Sequence, residues 1–287
     1  MAIKYKNHNS ELYLEVSAVT DVGKVRDHNE DNFLVHPKSD TNFITPVLIA
    51  VADGMGGHNA GEIASKLTVD TLKDLVSLKT IGINKNATEI QETIAKIVKN
   101  INLTVFEKST HPNLQGMGTT LTALLIHKNN LYYAHVGDSR AYILRNNRIV
   151  QITEDHSWVA QQVALGILDS DQASTHPNRN WITRAIGLNR EVEVDSGYLD
   201  VTDYDRILIC SDGLYSLVSD AEISGIIFEN DSDIAVDELI ALANSRGGTD
   251  NVTVMLATIY TGINSEVRAR DFFRSFKKIF RGKINRT

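Results

Sequence analysis

The spacing of apolar and polar positions changes several times along the chain, and the changes mark out its elements. Residues 12–20 alternate, with Leu12, Leu14, Val16 and Ala18 on one side, which predicts a strand. A short strand is expected over 33–36, and Val47-Leu48-Ile49-Ala50-Val51-Ala52 is a continuous apolar run of buried-strand length. The period then becomes helical. Residues 60–78 place Ile63, Leu67, Leu72, Leu75 and Val76 near one face. Residues 87–108 place Ile90, Ile94, Ile97, Val98, Ile101 and Val105 on another, with Asn86 and Glu89 spaced as a capping box.

Short strand patterns follow. Residues 119–127 and 131–136 flank Asn129-Asn130, and residues 141–144 and 149–152 flank Asn146-Asn147. Two-residue Asn turns between apolar runs predict hairpins, and successive hairpins predict antiparallel sheet. Residues 159–167 suit a short helix, and the polar run 169–180 reads as a mobile loop. A buried strand is expected over 207–210, a helix capped by Ser219 and Glu222, a helix over 234–244 and a last strand over 252–259. There is no internal repeat and no low-complexity segment.

Composition narrows the class. The 287 residues carry ordinary apolar content and a net charge of -7, which argues against a nucleic-acid-binding body. A single cysteine, Cys210, excludes an internal disulfide framework and suits a reducing compartment. The first residues lack the apolar core of a signal peptide, and no apolar run reaches the roughly 18 residues of a membrane span. A cytoplasmic location is expected.

The candidate chemistry lies where strands end. Asp53 closes the 47–52 run and is followed by Gly54-Met55-Gly56-Gly57-His58. Asp138 follows the 131–136 strand, Asp212 follows the 207–210 strand, and Asp250 precedes the last one. Each Asp-Gly pair alone reads as a turn. Together with Glu30 and Asp31, converging carboxylates repel in a dry site unless cations offset them. With no His or Cys cluster, oxygen-only ligation points to Mg²⁺ or Mn²⁺ rather than zinc. Two such ions close together can share a water and lower its pKa for in-line attack on phosphorus. Arg26, just before Glu30-Asp31, is a candidate phosphate clamp.

The motifs Arg26-x-x-Asn29-Glu30-Asp31, Asp53-Gly54-Met55-Gly56-Gly57-His58, Gly118-Thr119-Thr120, Gly137-Asp138-Ser139-Arg140, Asp155-His156-Ser157, Ser211-Asp212-Gly213 and Gly248-Thr249-Asp250-Asn251 occur in one order. In this the chain resembles the metal-dependent protein serine/threonine phosphatases of the protein phosphatase 2C family, in its bacterial form. The resemblance spans about residues 12–259. It implies an α+β fold, a four-layer α-β-β-α sandwich of two packed antiparallel sheets flanked by helices. It implies a domain over 1–261 with a flap over about 159–180 that shapes substrate access.

The resemblance also implies roles. Asp53 would bridge two Mn²⁺ or Mg²⁺ ions, with the Gly54 carbonyl on the second. Asp212 and Asp250 would hold the first ion, and Glu30 and Asp31 would act through waters. Asp138, with Asp212, would hold a weaker third ion. Arg26 would bind the substrate phosphate, and His58 would be the general acid. Thr119, Thr120 and Asn251 would support the site. The implied partners are phosphorylated proteins and a cognate Ser/Thr kinase, acted on by a monomer.

Other readings are plainer. Cys210 on an apolar strand is an inert core thiol. His156 is structural, because no carboxylate or serine partner for it is evident in the sequence. A phosphatase for small phosphoesters and a catalytically silent module with the same fold are the alternatives. No Walker loop or dinucleotide fingerprint supports a kinase or ATPase.

Residues 263–287 lie beyond the resemblance. Their eight Lys/Arg against Glu266 and Asp271 give a net +6 and leave -13 on the rest of the chain. Phe272, Phe273, Phe276, Ile279 and Phe280 recur at helical spacing, as in a basic amphipathic helix lying on an anionic membrane. Peripheral contact at the inner membrane face is the expectation. A helix docked on the acidic domain and a solvated tail are the alternatives.

Overall fold

The structure is a computed structural model and describes residues 2–6, 12–37, 46–56, 60–76, 78–82 and 85–261. His58 and the 263–287 segment lie outside the described residues.

Two antiparallel sheets form the centre. One has the order β1 (Ala2–Lys6), β2 (Leu12–Asp21), β13 (Val252–Thr261), β12 (Arg206–Cys210), β9 (Arg140–Arg145) and β10 (Arg148–Gln151). The other has the order β11 (Asp195–Asp200), β8 (Asn130–Val136), β7 (Leu121–His127), β4 (Val47–Ala52) and β3 (Asn32–His36). A small ribbon pairs β5 (Gly54–Met55) with β6 (Gly118–Thr119). The helices are α1 (Ala60–Leu75), α2 (Leu78–Ile81), α3 (Ala87–Ser109), α4 (Trp158–Ala164), α5 (Ser170–Thr175), α6 (Asp212–Tyr215), α7 (Asp220–Glu229) and α8 (Ser232–Ser245).

Three apolar layers show why four layers form. Side chains alternate across a strand, so an apolar run must be covered on both faces. In β4, Val47, Ile49 and Val51 pack between the sheets with Ile207, Ile209 and Ala257, while Leu48, Ala50 and Ala52 pack against α1 and α3. In β12, Leu208 and Cys210 face the opposite way and pack under α7 and α8 with Ile223, Val236 and Leu239. The result is the α-β-β-α sandwich that the resemblance implies.

Some elements differ from the sequence reading. The predicted stripe of α1 includes Ile63, which is exposed, whereas Ala60, Gly61, Ala64, Ser65, Thr68, Val69 and Leu72 are buried. Small residues bury this face because it approaches β5 and the chain before β3 closely. The first hairpin turns at Lys128-Asn129, since Asn130 already pairs with His127 and Lys128 has φ 54°. Within the run expected to be a loop, Ser170–Thr175 is a helix, started by a capping box between Asp169 and Gln172. The second hairpin turns as expected at Asn146-Asn147, with φ 52° and 57°.

Candidate metal centre

The acids come together because antiparallel pairing places the start of one strand beside the end of its neighbour. Asn32 at the start of β3 pairs with Ala52 at the end of β4, and Val252 at the start of β13 lies beside Asp21 at the end of β2. Cys210 at the end of β12 pairs with both Arg140 and Val254. Asp31, Asp53, Asp138 and Asp250 therefore sit in loops, and Asp212 at the start of α6, at one end of the sandwich.

Asp53 is held through its backbone. Its N–H donates to Thr120 Oγ1 at 2.9 Å, and its carbonyl accepts from the Thr120 N–H and the Thr119 hydroxyl, both at 2.8 Å. Thr120 Oγ1 is in turn 2.7 Å from Ser139 Oγ beside Asp138. Gly54 lies so close to its surroundings that a Cβ there would be 2.3 Å from the Gly61 carbonyl oxygen and 2.6 Å from that of Glu30. Gly61 in the first turn of α1 donates its N–H to the Glu30 carboxylate, where a helix N-terminus favours negative charge.

Asp31 is buried, and its Oδ2 accepts from the Ser211 and Thr253 hydroxyls, each at 2.7 Å. Asn251 fixes the segment before Asp31. Its Oδ1 accepts from the Glu30 N–H at 2.8 Å, and its Nδ2 donates to the carbonyls of Val22 and His28. Arg26 Nη2 donates to Asp250 Oδ2 at 2.8 Å from the rim. The Tyr215 hydroxyl donates to the Asp138 carbonyl at 2.9 Å.

The electrostatics are unfavourable for carboxylates alone. Burial raises the pKa of Asp53 well above the ordinary range, and the charges of Asp31, Asp212, Asp138 and Asp250 raise it further. Asp212 is raised well above the ordinary range by burial, then by Asp138, Asp250 and Asp31. Burial also raises Asp31 to about 6 and Asp138 to about 7. Asp31 Oδ1 and Asp138 Oδ1 are buried and face no hydrogen-bond donor among the described residues. Also among the described residues, no group of three acidic, His or Cys side chains is set to enclose an ion directly. The residues fit Mg²⁺ or Mn²⁺ on donor type, on charge and on these orphan oxygens.

The structure thus brings together Glu30, Asp31, Asp53, Gly54, Asp138, Asp212 and Asp250, with Thr119, Thr120 and Asn251 supporting them and Arg26 at the rim. Sequence reasoning missed Ser211 and Thr253 as the hydroxyls that hold Asp31, although a polar residue at an inward position of the last strand was a readable sign. It also found no partner for His156. Its Nε2 is 3.0 Å from Asp195 Oδ2, so the structural reading stands but the reason given for it was wrong. Cys210 is buried, and burial raises its thiol pKa.

Two antiparallel sheets between helices are a fold this chain shares with solved bacterial serine/threonine phosphatases. The solved serine/threonine phosphatase of S. agalactiae superposes with a TM-score of 0.78 at 37% identity, covering 87% of this chain and 100% of that one. The catalytic domain of the phosphatase PstP, solved in complex with two manganese ions, gives 0.74 at 35% identity over 87% of this chain and 99% of its own. The serine/threonine phosphatase stp of Listeria welshimeri is 40% identical over 239 residues, which are 83% of this chain and 92% of that protein. The family model Protein phosphatase 2C matches residues 24–251. The chain belongs to the protein phosphatase 2C family.

Proposed function

We propose that the chain is a protein serine/threonine phosphatase, a metal-dependent hydrolase of phosphoserine and phosphothreonine. The observation that carries this reading is the gathering of half-buried Asp53 and Asp212 with buried Asp31 and Asp138, a cluster of acids that divalent cations would complete. Its relatives' names and the manganese-bound PstP domain support it. When bound, Mn²⁺ or Mg²⁺ supplies Lewis acidity and activation of water for attack on phosphorus.

The chain's own residues would divide the work. Asp53, the Gly54 carbonyl, Asp212 and Asp250 would hold the cations, and Glu30 and Asp31 would act through waters. Asp138, with Asp212, would hold a weaker third ion. Thr119, Thr120 and Asn251 keep the acid-bearing loops in place. Arg26 receives the substrate phosphate and orients it, since guanidinium matches phosphate geometry. His58 protonates the leaving alkoxide.

The phosphatase domain is residues 1–261 with its flap over 159–180, followed by the basic 262–287 tail. The enzyme acts as a cytoplasmic monomer on the targets of a cognate Ser/Thr kinase, with the tail in peripheral contact with the membrane. Among the described residues no helix is long and apolar enough to cross a membrane. The test is phosphate release from a phosphothreonine peptide with Mn²⁺, with Mg²⁺ and with chelator. Release that needs the cation supports the reading, and full activity in chelator overturns it. Much faster turnover of small phosphoesters than of any phosphopeptide would favour the small-substrate alternative.

A further inference from the structure

His156 holds the peptide next to Asp138 at two points. Its backbone N–H donates to the Gly137 carbonyl at 2.8 Å, and its ring Nδ1 accepts the Gly137 N–H at 3.0 Å. Because Nδ1 is an acceptor here, Nε2 carries the ring proton and donates it to Asp195 Oδ2 at 3.0 Å. Gly137 has φ +114°, and a Cβ there would be 2.5 Å from the Thr120 side chain. The turn therefore has one seat, and the His156 ring closes it. The ring is 2% exposed and packs against His135, with centroids 4.7 Å apart.

The other end of this connection reaches the segment over the site. Asp195 Oδ1 accepts from Arg184 Nη1 at 2.7 Å. Arg184 follows Thr183, whose N–H donates to the His156 carbonyl at 2.7 Å, and Trp158 N–H donates to the Trp181 carbonyl at 2.8 Å. The excursion that carries α4 and α5 is thus closed at its root by the same group that sets the Gly137 peptide. Asp138, Asp212, His156 and Arg184 share the wall of one groove beside α4 and α5.

We propose that His156, oriented by Asp195, is a positioning residue for Asp138, and that Arg184 couples that position to the root of the 158–180 segment. The inference rests on the proposed role of Asp138 as a cation ligand. A histidine fixed by a carboxylate sets a ligand-bearing turn as outer hydrogen bonds set a metal ligand, so its loss acts on one site more than on its neighbours.

The test uses the full chain and counts bound Mn²⁺ by electron paramagnetic resonance, with ¹⁵N shifts of the His156 ring and the Gly137 amide as a second readout. Wild type should show the Nε2–H tautomer and two tighter ions plus a weaker third, which Asp138→Asn removes. Asp195→Ala should shift both nitrogen signals and weaken the third ion by about tenfold while leaving the tighter two within about twofold, in line with the loss of an outer-shell partner. In an Asp138→Asn background, Asp195→Ala should change Mn²⁺ binding no further. Arg184→Gln, at the half-buried outer end, should act in the same direction and serves where Asp195→Ala does not fold. Parallel weakening of all ions, or an unchanged third ion with shifted nitrogen signals, overturns the inference and leaves the metal reading intact. No third ion in wild type, or one indifferent to Asp138→Asn, overturns the role of Asp138 and the inference with it.

Discussion

Arg26 and Asp250, 224 positions apart in the chain, meet through Nη2 and Oδ2 at 2.8 Å. The arginine side chain is 52% exposed, so the pair holds a cation beside the acids at the rim instead of burying it. An exposed pair of this kind adds little stability. Under the proposed function its value lies in presenting donors to an incoming phosphate. Arg26→Ala should therefore weaken phosphate binding by about 1.5–3 kcal/mol, or roughly 10- to 150-fold in KM. Mn²⁺ affinity should hold or rise, because Asp250 loses a competing cation. Steady-state kinetics and a Mn²⁺ titration on the same variant test this, and an unchanged KM refutes the assignment.

The buried acids make a prediction about pH for the metal-free protein. Asp31 and Asp138 are raised to about 6 and about 7 by burial, and Asp53 and Asp212 are also raised well above the ordinary range. A group raised on folding binds its proton more tightly in the native state. Its stabilisation is present below the unfolded pKa of about 4 and is lost as pH rises through the folded value. Thermal unfolding without metal should thus occur at lower temperature at about pH 8 than at about pH 5, because the folded acids must ionise together. Mn²⁺ should reverse the loss at the higher pH by binding the native state. Asp53→Asn should flatten the metal-free dependence. It should also lower the hydrolysis rate by at least ~100-fold in Mn²⁺, since the proposed ligand of the water-activating cations is gone. A metal-free protein that grows steadily more stable from the acid to the alkaline condition would contradict the assignment.

What was legible in the sequence follows from where local rules act alone. The continuous apolar run of β4 and the long stripe of α3 reported burial correctly, because both faces of β4 and the striped face of α3 meet apolar layers. The acids were legible because each closes or opens an apolar strand. The face of α1 was not, since close approach to Gly54 selects Gly61, Ala64 and Ser65 over the large residues that a hydrophobic stripe looks for. Strand β11 was also hidden. Its sequence Asp-Ser-Gly-Tyr-Leu-Asp has little strand character and forms as an edge through pairing with β8. The His156–Asp195 contact spans 39 residues and depends on that unread strand, so no local pattern could reveal it. The Asp169 capping box was readable, and a polar composition masked it.

Cys210 separates this chemistry from thiol catalysis. The side chain is 0% exposed, lies in the layer under α7 and α8, and has its pKa raised by burial, so no thiolate nucleophile is at hand. Cys210→Ser places a hydroxyl in that apolar layer and should cost about 1–3 kcal/mol of stability. Turnover per folded molecule should be retained below the melting transition. Chemical denaturation gives the first quantity and Mn²⁺-dependent phosphopeptide hydrolysis the second. Loss of turnover in a folded, Mn²⁺-binding Cys210→Ser protein would make the thiol the nucleophile.

The basic segment yields the last prediction, from sequence alone. Residues 263–287 carry a net +6 on a chain whose remainder carries -13, and their aromatic residues recur at helical spacing. If the segment lies on an anionic bilayer, each Lys/Arg near the surface contributes about 1 kcal/mol, and salt screens that attraction. The full chain should co-sediment with phosphatidylserine vesicles at low salt, less so at high salt, and not with neutral vesicles. Truncation after Gly262 should abolish the binding. Hydrolysis of a soluble phosphopeptide should survive truncation, because the acids all lie in residues 30–250. A docked helix gives a different pattern, since it leaves the vesicles unbound and its removal exposes apolar surface and lowers thermal stability. Full-length protein that ignores anionic vesicles at low salt rules out the membrane role.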